Sequence, residues 1–155
     1  MGIIKYGLIT LITLFSLNMY SQKSDDLLGF WLNEEGDAQL EVYIKSDKKF
    51  YGKIVWLETP NETDGTPKLD KENPDEKLRS RKTMGLEILK NFSFDADDKE
   101  WEGGTIYDPK SGSTYKAYMW FEDDNLSKLY LRGYIGFSLI GRTSQWTKEK
   151  EKRNN

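Results

Sequence analysis

The chain has no cysteine and no histidine among its 155 residues. Without cysteine there is no disulfide framework, so a hydrophobic core must hold the fold alone. Without either residue there is no Ser-His-Asp triad, no Cys-His pair and no ordinary zinc site. Any catalysis would fall to Asp, Glu, Tyr, Lys, Arg or Ser. An excess of one charge is lacking too. Lys and Arg number 23 against 26 Asp and Glu, the net charge is −3, and the signs are interspersed. No basic stripe marks a nucleic-acid binder. Proline is scarce, and three of the four prolines fall in one segment, 59–82.

Long apolar runs are confined to the start. Lys5 precedes Gly7 to Met19, a run broken only by Thr10, Thr13, Ser16 and Asn18, and the small Ser21 precedes Gln22. A positive n-region, an h-region and a cleavage site predict a secretory signal peptide over residues 1–21. The run is shorter than the ~20 residues a spanning helix needs, and it has no basic stop-transfer flank. The expectation is export to the periplasm or the cell exterior, with no stable membrane span after cleavage. No cysteine follows the run, which excludes a lipid-modified N-terminus. Residues 22–147 then form one domain. Removing 1–21 takes away Lys5 alone and moves the net charge from −3 to −4. Residues 148–155, KEKEKRNN, read as a solvated charged tail.

Between these ends the pattern has period two. In Ala38 to Lys45, Leu40, Val42 and Ile44 alternate with Gln39, Glu41 and Tyr43, as a half-buried strand requires. Phe50 to Glu58 repeats this after a short polar turn. Further strand-like runs cover Leu86 to Phe94, Trp101 to Tyr107, Thr114 to Glu122, Lys128 to Ile135 and Ser138 to Thr147. The start of the Leu86 run, LEIL, also fits a helical turn. Segment 59–82 breaks the series with Asp64-Gly65 and Asn73-Pro74 turn signals, and Asn73 is placed to cap a short helical turn. A loop of this length is functional or disordered. About eight short strands with tight turns predict an all-β antiparallel fold, barrel or sandwich. Glycines recurring between Gly103 and Gly141 favour the barrel, because glycine in strands marks barrel corners.

Two sets of residues carry a resemblance. Gly29-Phe30-Trp31 on the first strand and Arg142 on the last resemble the closure of lipocalin-like barrels, where a guanidinium lies over an indole and pins the chain ends together. FWLNEEGDAQLEVY, the IVWL and DGTPKLDKENPD stretches, YDPKSGSTY and RGYIGFSLIGRT together resemble domain-of-unknown-function family 2147, a group of exported bacterial proteins. The likeness runs from about Gly29 to Trp146. It implies a single eight-stranded, lipocalin-like up-and-down barrel with one long polar loop. It brings no reaction, ligand or cofactor.

A closed barrel has a mouth and an interior, so its default function is to hold something small. In the long loop, Lys68, Asp70, Asn73, Arg79 and Arg81 are candidate ligand contacts, the arginines as forks for a carboxylate or phosphate. The competing assignment pairs them with Asp70, Asp75 or Glu76 inside the loop. Arg132 and Tyr134, with Tyr130, either line the cavity or cover the outside. Gly29, Trp31 and Arg142 are assigned to barrel closure. Trp56, Trp101, Tyr115, Trp120 and Tyr134 are expected mostly in the core, leaving a narrow pocket. Asp70-Lys71-Glu72-Asn73 and Asp95 to Asp98 do not fit a calcium loop, so neither a metal nor a cofactor is expected. The expected function is binding of a small amphipathic or anionic ligand, not catalysis. A non-catalytic envelope interaction module is one alternative. The other is a carboxylate-based hydrolase using Asp37, Asp70 or Asp108.

Overall fold

The computed structural model describes residues 22–122, 125–136 and 140–154. The expected signal segment, 1–21, lies outside them. Eight strands run up and down: β1 (Gly29–Leu32), β2 (Ala38–Ile44), β3 (Phe50–Leu57), β4 (Glu87–Asp95), β5 (Glu100–Asp108), β6 (Ser113–Phe121), β7 (Lys128–Tyr134) and β8 (Gly141–Glu149). Each pairs antiparallel with the next, and β1 pairs with β8, so the sheet closes into a barrel without a free edge. The LEIL stretch resolves as strand from Glu87. Gly104 follows a register shift in β5, and a Cβ there would stand 2.4 Å from the Phe92 ring. Only glycine lets that ring lie flat against the wall.

Strand polarity divides the interior. The starts of β3, β5 and β7 meet the ends of β2, β4, β6 and β8 at one end of the barrel, and this end is packed with Trp31, Phe50, Trp101, Phe121 and Leu129. Ring centroids lie 5.7 Å apart for Trp31 and Phe121, and 5.3 Å for Trp101 and Phe121. Residues 22–28 stopper this end. Leu27 is fully buried; its carbonyl accepts the Trp31 indole N–H at 2.8 Å, and that of Ser24 accepts the Trp101 indole N–H at 3.1 Å. The two buried indoles thus find acceptors in the segment that covers them.

The seam is closed as expected, but by a different cation. In register, Trp31 lies opposite Lys148. The Lys148 ammonium stands 5.1 Å from the Trp31 ring centroid and donates to the Asp26 carbonyl at 2.8 Å. Burial holds this lysine below its ordinary pKa, against the pull of Asp26. Arg142 lies six residues earlier on β8, roughly 20 Å along the strand at ~3.4 Å per residue. Its guanidinium goes instead to Glu34 at 3.1 Å and Glu35 at 3.0 Å, in the turn after β1.

The charged tail is solvated only in part: Lys150, Glu151, Lys152 and Asn154 are exposed, but Lys148, Glu149 and Arg153 are partly buried and docked on the barrel. Strand β8 extends through Glu149, and residues 150–154 fold back over the outside of β2 and β3. Gln39 is fully buried beneath them: its amide donates to Glu149 at 2.6 Å and to the Glu151 carbonyl at 3.0 Å, and its oxygen accepts the Arg153 backbone N–H at 2.9 Å. The Arg153 guanidinium forks onto Glu149 and lies 4.8 Å from the Trp56 ring centroid. Trp56 is therefore under the tail, not in the core.

The Arg153 fork lowers the Glu149 carboxyl pKa, burial opposes it, and Gln39 adds to the lowering. A folded pKa below the unfolded one gives stability that is full above the ordinary glutamate value and is lost as pH falls through the folded value. Acidification below 4.5 should therefore release the tail. The Trp56 indole N–H resonance should then move to its position in a chain ending at Glu149. Truncation itself should cost about 1–3 kcal/mol, the range for hydrogen bonds lost from buried polar groups. An unmoved resonance, or an unchanged urea midpoint on truncation, would show the tail to be idle.

Candidate functional site

The other end of the barrel is hollow. Here the inward positions are aliphatic or small, and they leave a chamber of about 660 Å³ walled by Leu40, Ile54, Ile88, Ile106, Leu131 and Trp146. That volume lies within the range of small-molecule sites. Tyr115 and Ser144 add polar atoms to the wall. The Ser144 hydroxyl oxygen accepts the Trp146 indole N–H at 3.1 Å. The narrow pocket expected from the aromatic content is thus corrected. Part of that content packs the stoppered end, and part lies outside. Tyr118 and Trp120 alternate with the buried Ala117, Met119 and Phe121, and Trp120 stacks on Tyr130 with centroids 5.5 Å apart. Trp101 is the one fully buried member of the expected core set.

The mouth is ringed by paired charges. Lys110, in the turn between β5 and β6, reaches Asp37 at 2.8 Å. Burial opposes ionisation of Asp37, but its hydrogen bonds from Lys110 and Asn33 outweigh that and hold its carboxyl below the usual range. The same bond raises Lys110. Lys68 lines the mouth and donates to the Thr59 hydroxyl at 3.0 Å. Arg142, with its two glutamates, completes the ring. Lys110 and Arg142 are thus matched by carboxylates and Lys68 by a neutral hydroxyl; with Glu34, Glu35 and Asp37 set against the three cations, the mouth carries little unbalanced positive charge.

The polar loop after β3 forms a roof. Its two arms pair with each other, with Leu69 bridged to Lys82 and the Asp70 N–H donating to the Arg81 carbonyl at 3.0 Å. Asp70 is fully buried at its centre. It accepts from Arg81 Nε and Nη2, both at 2.8 Å, from Asn73 at 2.8 Å and from the Tyr107 hydroxyl at 2.5 Å. Tyr107 belongs to β5 and lines the chamber, so one hydroxyl ties roof to wall. Burial, then the bond to Asp70, raise the Tyr107 pKa. Gly112 locks the far edge: its φ is +69°, and a Cβ would stand 1.8 Å from the Glu72 carbonyl oxygen.

Of the candidate contacts named from sequence, Lys68 and Tyr134 border the chamber. Asp70, Asn73 and Arg81 build the roof clasp. Arg79 donates to the Asn73 carbonyl at 2.8 Å and pairs with Glu76 at 3.4 Å. These four therefore serve the loop itself, the competing assignment. Arg132 sits between the chamber-lining Leu131 and Gly133, so it faces outward, where it donates to Thr143 at 3.0 Å. The short helical turn, Glu76–Leu78, is capped by Asp75, while Asn73 accepts the Asp75 N–H. The sequence did not single out Lys110, Ile106, Ser144 or the Ile135–Ile140 pair, all of which line the chamber. Two-residue parity carried the signal, once each strand's open end is known. Among the described residues no group of three or more His, Cys, Asp or Glu is placed to hold a metal.

Three comparisons bear on this architecture. The chain is similar to protein HP1028 from Helicobacter pylori, described as belonging to the lipocalin family. The TM-score is 0.67 at 23% identity, covering 83% of this chain and 92% of that one. At that identity the likeness shows the fold: a lipocalin-like barrel. No curated protein matches the chain. Residues 29–148 match the family described as uncharacterized proteins conserved in bacteria, DUF2147, and the chain belongs to that family.

Proposed function

We propose that this protein is an exported carrier that takes a small amphipathic molecule into the barrel, apolar end first. The observation that carries it is the chamber: about 660 Å³, aliphatic in depth, polar at the mouth and roofed on one side. Such a site desolvates an apolar body and leaves a polar head among Lys68, Lys110 and Arg142. An anionic head would have to displace Asp37 from Lys110, or Glu34 and Glu35 from Arg142, whereas Lys68 is held by the neutral Thr59 hydroxyl. Apolar burial therefore dominates affinity, and the head sets orientation.

The interaction-module reading required a solid interior, and the hollow end argues against it. The carboxylate-pair reading loses its candidates. Asp70 is held by the roof, Asp37 by Lys110, and Asp108 by its own turn through Lys110 N–H and Ser111. A lipocalin-like barrel of this kind fits a binding protein better than an enzyme. The run from Gly7 to Met19 supports export.

A dansyl-labelled medium-chain fatty acid tests the reading on protein recovered from the cell envelope. Saturable one-to-one binding is expected, to a chain with the mass of one starting near Gln22. Ile106→Trp should fill the chamber and abolish the binding. Binding that survives this variant, or none at all, sinks the carrier reading. Recovery at full-length mass from the cytoplasm sinks export.

A further inference from the structure

The wall of the chamber does not stop at the rim. Beyond the last register pair of β7 and β8, Tyr134 with Gly141, the Ile135 backbone N–H donates to the Ile140 carbonyl at 3.1 Å. Two-residue alternation puts both side chains on the inward face, in line with Leu131, Gly133 and Ser144. Both border the chamber, yet they are 65% and 69% exposed. They are the two most exposed large hydrophobic residues among those described. The chamber wall thus runs from its apolar depth, past Ser144, Gly133 and Arg142, to a two-isoleucine lip standing in water. Across the mouth, the roof covers the opposite wall.

We propose that this lip docks the mouth on a lipid bilayer, from which the carrier loads or to which it delivers an apolar molecule. The inference rests on the carrier reading. Size decides between occupants. Two isoleucines fall far short of the roughly 800 Å² per partner that a stable protein interface buries. Adsorption to a bilayer has no such threshold, and its strength scales with the apolar area inserted. Continuity decides function: the lip opens directly into the chamber, and between it and the apolar wall at Leu131 and Trp146 stand only the small Gly133 and Ser144 and Arg142, whose guanidinium is drawn off to Glu34 and Glu35. Charge decides the kind of bilayer. Arg142 is matched by Glu34 and Glu35, and Lys110 by Asp37. Lys68 has only the Thr59 hydroxyl, but Glu34, Glu35 and Asp37 together balance the three rim cations, so the rim offers no surplus of positive charge, and docking rests on insertion, without need of anionic lipid or low salt.

Co-sedimentation with phosphatidylcholine vesicles, with and without phosphatidylglycerol, reads the lip directly. Weak partitioning is expected, equal for the two compositions and insensitive to salt. Ile135→Ser and Ile140→Ser should each lower it about tenfold, and the double variant about a hundredfold. Their melting temperatures should match wild type, since both side chains are exposed. Ile106→Trp should lose the dansyl probe and keep the vesicles. Four results overturn the proposal: no partitioning by wild type, partitioning that the double variant keeps, association that needs anionic lipid and vanishes in salt, or a concentration-dependent dimer that the double variant dissolves. Failure of the carrier reading shows separately, as a wild-type protein that binds no probe in vesicle-free solution.

Discussion

Trp31→Ala should lower the unfolding free energy by about 3–5 kcal/mol, the range for deleting a fully buried aromatic. The ring is fully buried at the point where three parts of the fold converge. It packs on Phe121 of β6, donates to the Leu27 carbonyl of the stopper, and lies under Lys148 of the closing strand. Its removal opens a cavity in the packed end and strips the stopper of one of its two indole anchors. Urea unfolding, followed by a probe other than tryptophan fluorescence, gives the change in midpoint at constant slope. Trp31→Phe should cost less, because most of the packing survives and only the N–H bond goes. Lys148→Met should cost less, about 1–2 kcal/mol, since a partly desolvated cation–π contact is worth roughly that and the bond to the Asp26 carbonyl goes with it. Arg142→Ala should leave the seam unchanged. A large loss at Arg142 with none at Trp31 would refute this account of how the ends are held.

That contrast marks what sequence could and could not supply. The strand-like runs leave barrel and sandwich open; the glycines between Gly103 and Gly141 favour the barrel, and the resemblance carried by Gly29, Trp31 and the family stretches implies its closure. The inward face of Arg142 was legible too, since it shares parity with Ser144 and Trp146. The shift along β8 was not. Parity gives the face of a strand, whereas the partner across a seam depends on register, which is fixed by the closure as a whole. The division into a packed and a hollow end had a readable signal. In an up-and-down barrel, Phe50, Trp101, Phe121 and Leu129 all lie near strand ends that meet, while Ile54, Ile88, Ile106 and Leu131 lie toward the other end. Counting aromatics without strand polarity hides this, and a uniformly filled interior results.

The loop arginines show a different limit. Arg79 and Arg81 stand two residues apart in a segment rich in acids, and composition cannot tell a guanidinium that meets a ligand from one that meets Asp70. Burial settles it. A carboxylate with no exposed surface must be answered within the protein, and Arg81, Asn73 and Tyr107 supply the answer. The tail misled for the converse reason: alternating lysine and glutamate looks fully solvated until a buried amide, Gln39, is found needing partners.

Arg81→Met should therefore cost about 3–5 kcal/mol, the range for removing one partner from a buried ion pair. Asp70 would keep its bonds to Asn73 and Tyr107 but lose both charged ones, and its carboxylate would remain sealed under the roof. The damage should be local first. Loop 59–82 should become sensitive to limited proteolysis while the strands stay protected, because the two arms of the roof are joined around this pair. Through Tyr107 the loosened roof should also speed release of the dansyl probe without abolishing its binding, since the aliphatic wall is untouched. The second substitution separates charge from shape. Asp70→Asn on the Arg81→Met background removes the stranded charge and should recover most of the lost stability, whereas Asp70→Asn alone leaves Arg81, which is 35% exposed, able to turn to water. If the double variant is no better than Arg81→Met, packing and not charge holds the clasp. If proteolysis of the loop is unchanged in both, the roof is fastened by Gly112 and the strand-end bonds, and the buried pair plays no part in covering the chamber.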